Sequence, residues 1–327
     1  MALPEMLSGR LSLPVLASPM FIVSGPELVI EQCKAGIIGS FPALNARPQS
    51  ALREWIRRIK SELAAYAEAN PDKPVAPFAV NQICHVSNDR LQADMQVCVE
   101  EQVPIIITSL RPPAELVEAA HSYGGLVFHD VINQRHARKA AEQGVDGLIL
   151  VSAGAGGHAG SLSPFALLRE VKSWFEGTVI LSGAISDGAS VAGAIAMGAD
   201  LAYMGTRFIA TQEANSDQRY RDMLVQGNAD DVVYSSLFTG VHGNYLKASV
   251  AEAGYDPDKL PEGDPSKMDF GSGGNTDKKV WKDILGSGQG IGNIRDVPPV
   301  SELAARLRKE FREAADRFAG IARHYSE

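Results

Sequence analysis

The sequence predicts an α/β protein, a TIM (β/α)8 barrel with an irregular C-terminal excursion over the barrel mouth. Three observations carry this reading. Short apolar runs of strand length alternate with longer amphipathic segments, the rhythm of βα units on a parallel sheet. Many of those runs are almost continuously apolar, as strands buried on both faces must be. There are eight of them, and the 327-residue chain is long enough for one barrel with an insertion. A doubly wound open sheet is the alternative that the same rhythm allows.

The strands are expected near "LPVLASP" (13–19), "IIGSFPA" (37–43), "VAPFAVNQI" (75–83), "PIIITSL" (104–110), "LVFHDVI" (126–132), "DGLILVS" (146–152), "TVILSGA" (178–184) and "DLAYMGT" (200–206). Helices fill the gaps. Ser24 and Glu27 have capping-box spacing ahead of "LVIEQCKAG". Residues 51–69 repeat Leu, Trp, Ile and Ala at helical spacing, and "QRHARKAAEQG" ends at a glycine, as helices often do. Residues 228–292 break the rhythm, and 254–279 is rich in Gly, Pro, Asp and Lys. The expected organisation is therefore a barrel over 1–227, an irregular insertion or lid over 228–292, and a C-terminal segment, 293–327, packing back on the barrel. Within it, 299–325 reads as an amphipathic helix with Leu303, Leu307, Phe311, Phe318 and Ile321 on one face.

Composition narrows the function classes. Hydrophobic residues make up 45% and charged residues 21%, so a large core can be buried. The net charge of −8 is spread along the chain, which argues against nucleic acid or an anionic membrane as partner. No apolar run approaches the roughly 18 residues of a membrane span. The first residues lack the order of a signal peptide. The three cysteines fit neither a disulfide framework nor a zinc spacing, so no metal site and a reducing, cytoplasmic setting are expected.

In a barrel, the chemistry lies at the C-terminal ends of the strands. The stretch "AGAGGHAG" (153–160) follows the sixth strand and surrounds His158 with almost nothing but glycine and alanine. Glycine lets backbone approach a ligand closely, although a glycine-rich turn with a solvated histidine is the ordinary alternative. Strands seven and eight end in Ser182-Gly183-Ala184 and Gly205-Thr206. Barrel phosphate sites commonly use these two turns, though tight strand-to-helix turns also need glycine. A phosphate held there places a flat ring over the mouth, against the backbone of Gly154, Gly156 and Gly157. Met20 would pack on one face, and the Asn81 amide would meet the ring's donor and acceptor edge unless Asn81 simply ends its strand.

"LPVLASPM", "PFAVN", "GAGGHAG", "LSGAISDGASVAGAIAMGADLAYMGTRF" and "GSGQGIG" occur in the order and spacing of nitronate monooxygenases, and the chain resembles that family over 12–245 and again at 286–292. The resemblance implies an FMN-dependent oxidoreductase of the flavin monooxygenase type. The FMN phosphate would be held by Ser182, Gly183, Ala184, Gly205 and Thr206, and the flavin ring bound by Asn81. Gly288 and Gln289 of the last motif would join the cofactor site, and His158 would be the catalytic base or the electrostatic partner of the substrate. The implied reaction oxidises alkyl nitronates, or nitroalkanes, with O2 to carbonyl compounds and nitrite. An NAD(P)H-dependent FMN reductase of quinones or enoyl thioesters is the second reading, and a non-catalytic FMN-binding barrel the third. A homodimer is compatible with all three.

Three departures stand out. Ala17 replaces a common glutamine. Ala184 replaces the second glycine of a Gly-Gly pair, which is tolerable with a negative φ. Asp130 stands where some relatives carry lysine, and an acid there would disfavour anionic reduced flavin. His242 and Tyr245, in "GVHGNY", are candidates for closing over the substrate or for an ordinary exposed loop.

Overall fold

The computed structural model describes residues 3–111, 114–264 and 282–325. Strands β1 (Val15–Ala17), β2 (Gly39–Pro42), β3 (Phe78–Cys84), β4 (Ile105–Leu110), β5 (Leu126–Val131) and β6 (Gly147–Val151) come first. A two-residue strand outside the barrel, β7 (Gly157–His158), precedes β8 (Thr178–Ser182) and β9 (Leu201–Met204). The order β1-β9-β8-β6-β5-β4-β3-β2 is parallel throughout. A parallel bridge between Leu16 and Ile38 closes β1 on β2, so the sheet is a barrel rather than an open one. All eight expected strands are present.

Helices α1 (Pro26–Lys34), α2 (Ala51–Ala69), α3 (Leu91–Glu100), α4 (Ala114–His121), α5 (Gln134–Glu142), α6 (Pro164–Lys172) and α7 (Gly188–Ala196) alternate with these strands. The expected capping box at Ser24 and Glu27 does not form. The α1 cap is Gly25 with Pro26 at the first helical position, and the Ser24 hydroxyl accepts from the Met20 N–H instead. Pro26 pre-sets the helical φ and has no N–H to satisfy.

Strand alternation divides the core in two. Leu16, Ile38, Ala79, Ile107, Phe128, Ile149, Ile180 and Leu201 fill the barrel interior. Leu7, with Leu3, Met6 and Leu11 packed against this cluster, extends the interior core with the N-terminal segment. The second and larger cluster lies between sheet and helices and includes Cys33, Cys84 and Cys98, whose thiols burial pushes up to about 12. They are packing residues.

After β9 come a single helical turn, α8 (Thr206–Ile209), then α9 (Gln218–Gln226), β10 (Val232–Ser235), β11 (Gly243–Leu246), α10 (Lys247–Glu252) and α11 (Val300–His324). The excursion is more regular than its composition suggests. β10, β11 and β7 form a small antiparallel sheet, with Gly243 opposite His158. Of the irregular stretch read at 254–279, residues 265–279 lie outside the described residues. Among the described residues, no helix is long and apolar enough to cross a membrane.

The amphipathic face of α11 is used only in its first half. Val300, Leu303, Ala304 and Leu307 are buried, whereas Phe318 is 60% and Ile321 47% exposed. The crossing of α11 over α7 is very close. A Cβ on Gly188 would lie 2.1 Å from the Leu307 carbonyl oxygen and 2.5 Å from the Phe311 nitrogen. Both are backbone atoms and cannot rotate away. Gly188→Ala should therefore destabilise the fold by about 3 kcal/mol, the upper end of ordinary overpacking. Urea unfolding measures it, and an unchanged midpoint would show that α11 is free to shift.

Candidate active site

The interior alternation places a polar layer above the apolar one at the C-terminal end of the barrel. Asn81 follows Ala79 by two residues, Asp130 follows Phe128, Ser182 follows Ile180 and Tyr203 follows Leu201. Each pair therefore faces the same way. His129, between Phe128 and Asp130, faces outward and bonds the Thr108 hydroxyl at 2.8 Å; burial pushes its imidazole down to about 4. Asn81 is 7% exposed, and one of its amide hydrogens already goes to the Ile107 carbonyl at 3.3 Å.

Four chain segments converge on the same end. The Ala184 N–H donates to the Gly154 carbonyl at 3.1 Å, as does the Gln289 N–H at 2.9 Å. The Gly288 N–H donates to the Thr206 hydroxyl at 2.9 Å. Thr206 opens α8 with Gly205 as its cap. A Cβ on Gly156 would lie 2.8 Å from the Gly288 nitrogen and 3.2 Å from the Thr206 hydroxyl, so this glycine is required by close approach. A Cβ on Gly205 would lie 3.2 Å from Ser18 Cβ and 3.8 Å from Met20 Sδ. Met20 thus sits beside the same turn. The segment carrying Gly288 and Gln289 is anchored by Arg207, only 2% exposed, which bonds Asp296 at 2.9 Å. The Arg306 and Arg207 guanidinium groups hold the Asp296 carboxyl below the usual range.

Ala184 departs from expectation. Its φ is +54°, beside Gly183 at +134°, so the residue occupies the left-handed region rather than the negative φ foreseen for it. Gly183 is pressed against the Ala153 carbonyl, 2.7 Å from where its Cβ would be. The turn then continues through Ala184 at a cost of about 1 kcal/mol for a residue with a side chain. Gly157 has a φ of +66° and pairs with Asn244 in the small antiparallel sheet.

His158 lies on β7, where the barrel meets the small antiparallel sheet. Its Nε2 is 2.8 Å from the Thr239 hydroxyl, whose own proton goes to the Val241 carbonyl at 3.0 Å. Thr239 thus ties the imidazole to the loop between β10 and β11. Burial pushes the imidazole down to about 4, so His158 is neutral at physiological pH. Nothing in the local sequence "LFTG" singled out Thr239; only the fold of the excursion brings it to His158. Tyr245, on β11, is fully buried against Phe238, whereas the His242 ring stacks on Tyr234 at 5.0 Å and is 3.5 Å from Glu262, on the outer side.

Asp130 also differs from its expected character. Burial pushes its carboxyl up to about 7, and its Oδ1 is buried with no hydrogen-bond partner among the described residues. It is therefore not a fixed anion at neutral pH. Tyr203, whose phenol burial and the nearby Asp130 push well above its usual value, faces the same interior. Among the described residues, no group of His, Cys, Asp and Glu is arranged to hold a metal ion.

A family model described as nitronate monooxygenase matches residues 6–310. A nitronate monooxygenase from Paraburkholderia phytofirmans is 26% identical, over 94% of this chain and 95% of that protein. Among solved structures, a mutant of FabK from Thermotoga maritima superposes with a TM-score of 0.73 at 25% identity, covering 97% of each chain. A nitroalkane oxidase from Streptomyces ansochromogenes gives a TM-score of 0.78 at 20% identity, over 96% of this chain and all of that one.

Proposed function

The chain belongs to the nitronate monooxygenase family, and from that premise we propose that this enzyme binds FMN and oxidises alkyl nitronates with O2 to carbonyl compounds and nitrite. The observation that carries the reading is the convergence of Gly156, Ala184, Thr206 and Gly288 at one end of the barrel, where a Cβ on Gly156 has no room. Such a cradle of small residues and backbone groups suits a phosphate, and the orphaned Asp130 oxygen and the Asn81 amide suit the polar edge of a ring.

In this reading Ser182, Gly183, Ala184, Gly205, Thr206 and Gly288 hold the phosphate. Met20, Asn81, Gly156, Gly157 and Gln289 line the ring. Bound FMN would supply the electron-accepting chemistry that no side chain here provides. His158 orients the nitro group of the substrate. When a neutral nitroalkane is offered, the basic ring nitrogen of His158 takes its α-proton. The imidazolium and the nitronate then form together as an ion pair, and the new anion raises the basicity that burial had lowered. Thr239 holds the ring in place, and the small antiparallel sheet excludes water.

The protein should purify with non-covalent FMN, because the cradle ends a mononucleotide and offers no adenylate site among the described residues. Mass analysis of the released cofactor tests it, with FAD or no flavin as the contrary result. Anaerobic bleaching by nitronate, and not by NADH, is the further expected outcome; bleaching by NADH alone would move the enzyme to the reductase reading.

A further inference from the structure

We propose that Asp130 is a neutral hydrogen-bond donor built into the wall of the barrel mouth, which recognises an acceptor atom, a ring carbonyl or imine nitrogen, on the cofactor bound there. The inference rests on the FMN reading above. It starts from strand geometry. Asp130 shares the interior face of β5 with Phe128, and its register partner on β6 is Ile149, also interior. A carboxylate in that place would need a cation or several donors to offset its lost hydration. Among the described residues neither is provided at Oδ1, and the residue as a whole is half-buried. Oδ1 is buried without a hydrogen-bond partner among the described residues.

The titratable groups around Asp130 offer its carboxyl no counter-charge among the described residues. Across the interior, Tyr203 on β9 is the titratable group that feels its charge, and its phenol stays protonated. His129 on the same strand faces the opposite side, against Thr108 on β4. Burial alone accounts for the raised carboxyl, about 7. A protonated carboxyl is a donor as well as an acceptor. A ligand acceptor would satisfy what the protein leaves unsatisfied. Above its pKa the same group becomes a buried anion facing the ligand, so binding should weaken as pH rises.

The test uses the full chain stripped of flavin, with FMN as the probe and fluorescence quenching as the readout. Asp130→Asn keeps a neutral donor of the same shape but cannot ionise. Its FMN affinity should match the wild type at about pH 6 and exceed it about tenfold or more at about pH 9. FMN ionises identically in both measurements, so the ratio isolates Asp130. Asp130→Ala should bind about tenfold more weakly than wild type at about pH 6, the scale of one lost hydrogen bond in an enclosed site. A ratio independent of pH, or an alanine variant equal to wild type, overturns the proposal.

If the variants do not fold, infrared difference spectra of the wild type decide. Adding FMN should shift a protonated carboxyl band to lower frequency, and an unshifted or absent band at about pH 6 rejects the idea. Should the wild type bind no FMN at any pH, the proposed function fails by itself. The carboxyl band of the ligand-free protein then still reports whether Asp130 holds its proton, and ionisation near the usual carboxylate value refutes this inference separately.

Discussion

His158→Asn should keep FMN bound and lose turnover by about 10²-fold or more, the scale of a positioned acid–base or electrostatic group. Asparagine keeps a hydrogen-bonding group toward Thr239 but supplies no basic ring nitrogen. The loss should be larger for neutral nitroalkanes than for nitronates, because only the former need a proton removed. The pH dependence follows from the depressed imidazole. With a pKa of about 4, the neutral ring predominates at every pH above that value. The acid limb that His158 contributes to kcat/KM of free enzyme should therefore lie near 4, with no inflection near the ordinary histidine value of about 6.5. Full activity of His158→Asn on every substrate that reduces the enzyme would return the histidine to the role of a turn residue.

Gly156→Val should abolish most flavin binding without unfolding the barrel. The added Cβ meets the Gly288 nitrogen at 2.8 Å and the Ser287 carbonyl carbon at 3.1 Å, both backbone atoms held in place by the bond to Thr206. Relief requires moving the 287–289 segment, and with it the closure of the cradle. A fall of at least about tenfold in FMN occupancy, about 1.4 kcal/mol, is expected while the far-ultraviolet dichroism stays native. Gly193→Ala is the control, since a Cβ there meets nothing within 4 Å and alanine favours the helix. Equal flavin content in the two variants would remove the cradle from the cofactor site.

Much of this molecule was legible before any coordinates. The eight strands lie where continuous apolar runs placed them, because burial on both faces is written directly in the residues of each strand. The turns after β8 and β9 and the glycine-rich loop around His158 were also visible, since close backbone approach demands glycine whatever the surroundings. Their meeting at one end of the barrel follows from the parallel order of the strands.

Local sequence could not say how charge and backbone strain would settle at that end. Asp130 reads as an anion in a list of residues, yet burial pushes its carboxyl up to about 7, so it is not a fixed anion at neutral pH. Ala184 reads as a residue for negative φ, yet its φ is +54° in a turn where Gly183, at +134°, has no room for a side chain beside the Ala153 carbonyl. Thr239 meets the imidazole of His158 from 81 residues away, through a small sheet in a stretch that composition had suggested was irregular. Secondary structure and glycine turns depend on periodicity and chain geometry within a few residues, and the sequence by itself determined them. Protonation, hydrogen bonding across the fold and strain depend on which distant segments exclude water and press on the site, and only the tertiary structure decided those.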